Sequence, residues 1–151
     1  MKNTRRSFLS KAAALGVASA LPFQLKSKPK QKAIPSLEGR NVLFVYGGWD
    51  GHEPLKYKEY MGEWLGSEGA NVTFSDSLDI YLDAAVMKNT DLILQIYTMS
   101  KITKEQEKGL LQAVKNGAGI AGWHGGLCDA FRANVEYQYM TGGQWVAHPG
   151  G

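Results

Sequence analysis

Two apolar runs, each short and nearly unbroken, constrain the fold of this chain more than any other feature. Asn41-Val42-Leu43-Phe44-Val45-Tyr46 stops at Gly47-Gly48, and Leu92-Ile93-Leu94-Gln95-Ile96-Tyr97 is built the same way. Such runs suit strands covered on both faces, as in parallel sheets. Parallel neighbours cannot be joined by a tight hairpin and need a crossover, usually a helix. The sequence between the runs supplies one. Leu55, Tyr60, Met61, Trp64 and Leu65 recur at helical spacing between Glu53 and Gly69. Asn71-Val72-Thr73-Phe74 reads as a short strand, and Ile80, Leu82, Val86 and Met87 as a short helix. Thr103, with Gln106 three residues on, has the capping-box pattern and opens a helix through Leu110, Leu111 and Val114 to Gly117. Gly119-Ile120-Ala121-Gly122 is a fourth, small-residue strand, and Asn134 to Met140 an amphipathic segment. The β-α-β-α-β-α-β alternation predicts an α/β fold, a parallel sheet with helices on both faces. In such sheets the ligand crevice lies outside the carboxyl ends of the strands.

The N-terminus reads as a separate device. Thr4-Arg5-Arg6-Ser7-Phe8-Leu9 is a twin-arginine pattern, followed by Lys11 and an apolar run from Ala12 to Leu21. That run is shorter than the ~20 apolar residues of a bilayer-spanning helix, and Ala18-Ser19-Ala20 has the small residues of a cleavage site. Residues 1–20 are therefore expected to be an export signal of the twin-arginine type, which implies a periplasmic or extracytoplasmic destination and no stable membrane span. Residues 21–36, with Lys26, Lys28, Lys30 and Lys32, form a basic spacer without periodicity, expected to be a disordered linker. Eight of the 17 basic residues lie in these two segments, which leaves nine against 14 acidic residues in the body, 37–151. A nucleic-acid binder concentrates its cations on the folded domain, so nucleic acid is not expected as a partner. Cys128 is the single cysteine and excludes an intrachain disulfide.

All three histidines lie beside glycine and tryptophan: Gly47-Gly48-Trp49-Asp50-Gly51-His52-Glu53, Gly122-Trp123-His124-Gly125-Gly126, and Gly142-Gly143-Gln144-Trp145-Val146-Ala147-His148. The first two stretches begin where a strand ends and so fall on the ligand rim; nothing in the sequence forces the third there. Gly122-x-His124-x-Gly126 has the spacing of a nucleophile elbow, in which glycines relieve crowding beneath an exposed apical side chain. Here the apex is histidine, and Cys128 lies four positions too late to replace it, so acyl-transfer chemistry is disfavoured. His124 and His52 are candidate acid/base groups, with Asp50 or Glu53 to hold a tautomer, bind a hydroxyl or coordinate a cation. A simple capping cluster at the following helix is the bland alternative for Asp50 and His52. His52, His124 and His148 are also the only histidines from which a three-imidazole site for a divalent metal such as zinc could be assembled. Trp49, Trp123 and Trp145, with Gly125, are candidate contacts for a small carbohydrate, because aromatic faces stack on sugar C–H surfaces.

The motifs Val-Leu-Phe-Val-Tyr-Gly-Gly-Trp-Asp-Gly-His-Glu-Pro, Gly-Ile-Ala-Gly-Trp-His-Gly-Gly and Gly-Gly-Gln-Trp-Val-Ala-His-Pro-Gly-Gly resemble the ThuA-like, trehalose-utilisation family from about Asn41 to Gly151. That resemblance implies a flavodoxin-like sheet of the class I glutamine amidotransferase type, without the elbow cysteine. It also implies a link to disaccharide or keto-sugar metabolism and a domain that continues past Gly151. Four strands with much unpaired edge carry the same expectation of an incomplete sheet. A sugar-processing hydrolase, lyase or isomerase, a non-catalytic carbohydrate-binding or scaffold domain, and an inactive fragment all stay open at this level, as does homo-oligomerisation.

Overall fold

The structure, a computed structural model, describes residues 35–150. The export signal and nearly all of the basic spacer lie outside the described residues. Four parallel strands, β1 (Asn41–Gly48), β2 (Asn71–Ser75), β3 (Leu92–Thr98) and β4 (Gly119–Gly122), form one sheet in the order β2-β1-β3-β4. Val42 pairs with both Val72 and Leu92, and Leu92 with Gly119, so β1 and β3 are the central strands. These are the two continuous apolar runs, now covered on both faces. The chain leaves β1 in one direction to form β2 and returns past it to form β3. The switch point of this flavodoxin-like order therefore lies between the carboxyl ends of β1 and β3.

Alternate residues of the central strands feed two cores. Val42, Phe44, Leu94 and Ile96 pack with Leu65 of α1 (Pro54–Ser67). Leu43, Val45 and Ile93 face the other side, against Met87 of α2 (Ala84–Asn89), Leu110 and Ala113 of α3 (Lys104–Lys115) and Tyr137 of α5 (Val135–Thr141). Helices thus cover both faces, as the alternation predicts. The capping box at Thr103 is present, with Gln106 Oε1 accepting from the Thr103 N–H at 2.9 Å and Thr103 Oγ1 accepting from the Gln106 N–H at 3.2 Å. The short helix expected from Ile80 to Met87 is two pieces, a 3-10 turn at Leu78–Leu82 and then α2. Asp83 divides them: its backbone is extended, and its carboxylate accepts from the N–H groups of Ala85 and Val86, starting a new helix. Among the described residues no helix is long and apolar enough to cross a membrane.

Candidate functional site on the strand rim

The elbow is the organising element. His124 has φ +50°, a left-handed conformation that side-chain-bearing residues adopt at a cost of about 1–3 kcal/mol. It lies two residues past the end of β4, after Trp123, and opens the short helix α4 (His124–Cys128). The flanking glycines are needed for close approach. A Cβ on Gly122 would run into the carbonyl oxygen of Gln95 and lie 2.8 Å from Leu127 Cβ, while one on Gly126 would lie 2.8 Å from Ile96 Cα. The backbone of β3 is thus packed against the turn from below, and the imidazole of His124 is left exposed above the sheet.

A buried polar network anchors the same turn. Gln95, 0 % exposed in the middle of an otherwise apolar strand, donates from Nε2 to the carbonyl of Gly126 at 3.3 Å and to Tyr137 Oη at 2.7 Å. Tyr137 donates in turn to the carbonyl of Leu127 at 2.8 Å, and Tyr81 donates to Gln95 Oε1 at 2.7 Å. Burial pushes the phenols of Tyr81 and Tyr137 well above the usual tyrosine range, so both remain neutral donors. Beyond β3, the N–H groups of Met99 and Ser100 donate to the carbonyls of Asp129 and Ala130, fastening the exit of α4 to the strand end.

His52 reaches the same place from β1. It ends a 3-10 turn, Asp50–His52, just before α1. Neither that turn nor α1 has a side-chain cap, so Asp50 and His52 are not a capping cluster. The His52 ring lies edge-on to His124 with centroids 4.9 Å apart, and its Nδ1 is 2.8 Å from Thr98 Oγ1. Thr98, the last residue of β3, is therefore the group that holds His52. From the sequence, Asp50 or Glu53 is expected in that role. Glu53 instead pairs with Lys56, and Asp50 is exposed away from the pocket.

The pocket so formed holds about 210 Å³ and is lined by His52, Glu53, Tyr57, Trp123, His124 and Gly126 among others. The ring of Tyr57 lies 5.1 Å from Trp123, and nothing in the sequence singles this residue out. A lone tyrosine early in an amphipathic helix carries no signal of its own. Of the other candidate contacts, Trp123 lines the pocket, and Gly125 lies beneath His52, where a Cβ would come within 2.7 Å of His52 Cε1. Trp49 lies 4.8 Å from His52 and is 50 % exposed.

The third stretch does return to this rim. Gly142 caps α5 in the left-handed conformation, and the chain turns back so that Trp145 and His148 each lie 6.3 Å from His124. Trp145 also packs on His148 at 4.7 Å, with the Arg132 guanidinium 5.9 Å from its ring. Asp129, buried, holds Arg132 through a two-pronged ion pair. His52 and His148 are each ring neighbours of His124. Among the described residues no group of three or more His, Cys, Asp or Glu side chains is disposed to hold a metal ion. The histidine trio does not fit zinc as placed.

Comparison with known proteins decides the family. The model of the family described as ThuA, trehalose utilisation, matches residues 41–151. The chain belongs to the ThuA family. No curated protein matches the ThuA chain. Its fold is similar to the crystal structure of a ThuA-like protein from Bacteroides uniformis, at a TM-score of 0.54 and 16 % identity. The match covers 74 % of this chain and 46 % of that one, so the ThuA chain spans about half the length of its solved neighbour.

Proposed function

We propose that the rim pocket of this ThuA domain takes one ring of a small carbohydrate and that His124 moves a proton at the carbon beside a sugar carbonyl. The observation that carries this reading is the left-handed His124, held exposed at the apex of an elbow whose glycines and buried Gln95 leave it little freedom to relax. Strain kept at the mouth of a polar pocket is characteristic of functional sites. A volume of about 210 Å³ falls below the usual 300–1,000 Å³ of pockets for drug-sized ligands, so one ring enters and a second extends outward past Trp49. Trp123 and Tyr57 supply apolar faces for the sugar's C–H groups, while His52 and Glu53 supply polar contacts.

The chemistry follows from the apex residue. With a keto-sugar bound, His124 takes the proton from the carbon next to the carbonyl. The C–H electron pair moves into the carbon framework, and the carbonyl oxygen takes up the negative charge. Return of the proton to the former carbonyl carbon, with the hydroxyl proton of the first carbon passing to the old carbonyl oxygen, completes an isomerisation. Alternatively the carbonyl re-forms as the β C–O bond breaks, and the departing oxygen takes the proton from His124, which completes an elimination. A cysteine-dependent amidotransferase mechanism is not part of this reading, because Cys128 ends α4 four residues past the apex. Turnover of a keto-disaccharide is expected to fall about 10²–10⁴-fold in His124→Ala. Equal turnover by both proteins would remove the role assigned to His124. Half-exposed Trp49 favours a second reading, a non-catalytic carbohydrate-binding domain. Calorimetric binding of trehalose by a wild type that turns over no sugar would decide for it. We also propose export by the twin-arginine route, supported by Arg5-Arg6, Phe8-Leu9 and the apolar run that follows.

A further inference from the structure

We propose that Thr98 is a positioning residue that fixes His52 as the Nε2–H tautomer, so that His52 offers the pocket a hydrogen-bond donor and not a lone pair. Thr98 is 1 % exposed, so its hydroxyl proton needs a partner inside the protein. Among the described residues the one group within hydrogen-bond distance of that hydroxyl is His52 Nδ1, at 2.8 Å. If Nδ1 carried the proton and donated to Thr98, the buried hydroxyl hydrogen would have no acceptor. With Thr98 donating, both groups are satisfied. The hydrogen bond made by one ring nitrogen determines the state of the other, and the neutral imidazole then carries its proton on Nε2.

Gly125 makes this placement possible, since any Cβ there would displace the His52 ring and also press on Thr98 Cγ2 at 3.1 Å. Resting on the reading above, the assignment divides the two pocket histidines by role. His124 receives the proton from carbon, and His52 Nε2–H donates to the carbonyl oxygen on which charge develops. A preorganised donor of this kind acts where charge appears in the transition state. The same tautomer removes His52 from any metal-ligand set, because both of its nitrogens are occupied.

Long-range ¹⁵N–¹H spectra of the labelled full chain, recorded where the imidazoles are neutral and assigned with His52→Gln, test the tautomer directly. The wild type and Thr98→Ser are expected to show His52 as Nε2–H, and Thr98→Val a mixture of both tautomers. A wild-type Nδ1–H signal would overturn the assignment, as would a Thr98→Val spectrum identical to wild type. Should Thr98→Val fail to fold, the wild type and Thr98→Ser still decide. Titration with a keto-disaccharide is expected to show affinity about five-fold weaker in Thr98→Val than in Thr98→Ser, the size of one ordinary hydrogen bond. An Nε2–H tautomer in a wild type that binds no sugar would uphold the tautomer and overturn the carbohydrate reading instead.

Discussion

Gly125 and Gly126 are adjacent and both buried, yet their neighbours differ in kind. The methyl of Gly125→Ala meets the His52 ring, a side chain that can rotate away; that of Gly126→Ala meets the Cα of Ile96, part of a central strand that cannot. We expect Gly126→Ala to lose about 1–3 kcal/mol of stability, the usual cost of overpacking. Gly125→Ala should break the bond between His52 and Thr98, at a cost of about 1–3 kcal/mol for the buried hydroxyl left without its acceptor, and should shift the His52 ring signals, which Gly126→Ala leaves in place. Chemical denaturation and the ring spectra of His52 check the division; unshifted His52 signals in Gly125→Ala would contradict it. The sequence announced the glycines through their elbow spacing, but it could not show which would guard the fold and which the site. That depends on what lies across the gap, and Ile96 and His52 are brought there by β3 and β1.

Polar residues in strands are easily misread, and Gln95 illustrates why. In sequence it interrupts an apolar run; in the fold it is the acceptor for Tyr81 and the donor to both Tyr137 and the elbow carbonyl of Gly126. Gln95→Leu retains approximate volume but leaves the buried Tyr81 hydroxyl without an acceptor, at an expected cost of about 1–3 kcal/mol. Adding Tyr81→Phe should recover part of that loss, because removing both partners of a buried hydrogen bond is cheaper than removing one. Thermal or denaturant unfolding of the two variants provides the measurement, and a double variant less stable than Gln95→Leu would contradict it. Elements with strong local patterns were legible beforehand. β1, β3, α1 and the Thr103 capping box all carry their signals within a few residues. The split at Asp83 was not, because a capping aspartate inside an apolar stretch looks like an ordinary polar position of one helix.

The whole molecule combines an N-terminal segment read from sequence with a domain whose site is assembled from afar. For the first, replacing Arg5 and Arg6 together by lysine should hold the chain in the cytoplasm, as cell fractionation with immunodetection would show. Unchanged export of that variant would refute the twin-arginine reading. For the second, the rim draws His52 from the end of β1, Thr98 from the end of β3, His124 from the end of β4, and Trp145 with His148 from beyond α5. The sequence alone determined the parallel α/β architecture, the elbow at His124 and the arrival of the first two histidine stretches on one rim. Those follow from short-range periodicity, turn chemistry and the rule that strand ends carry the site. The tertiary structure decided that the third stretch joins them, that Tyr57 walls the pocket, and that Thr98, not Asp50 or Glu53, holds His52. Threonine 46 residues from its histidine leaves no trace in spacing, because the contact exists only once β1 and β3 lie side by side.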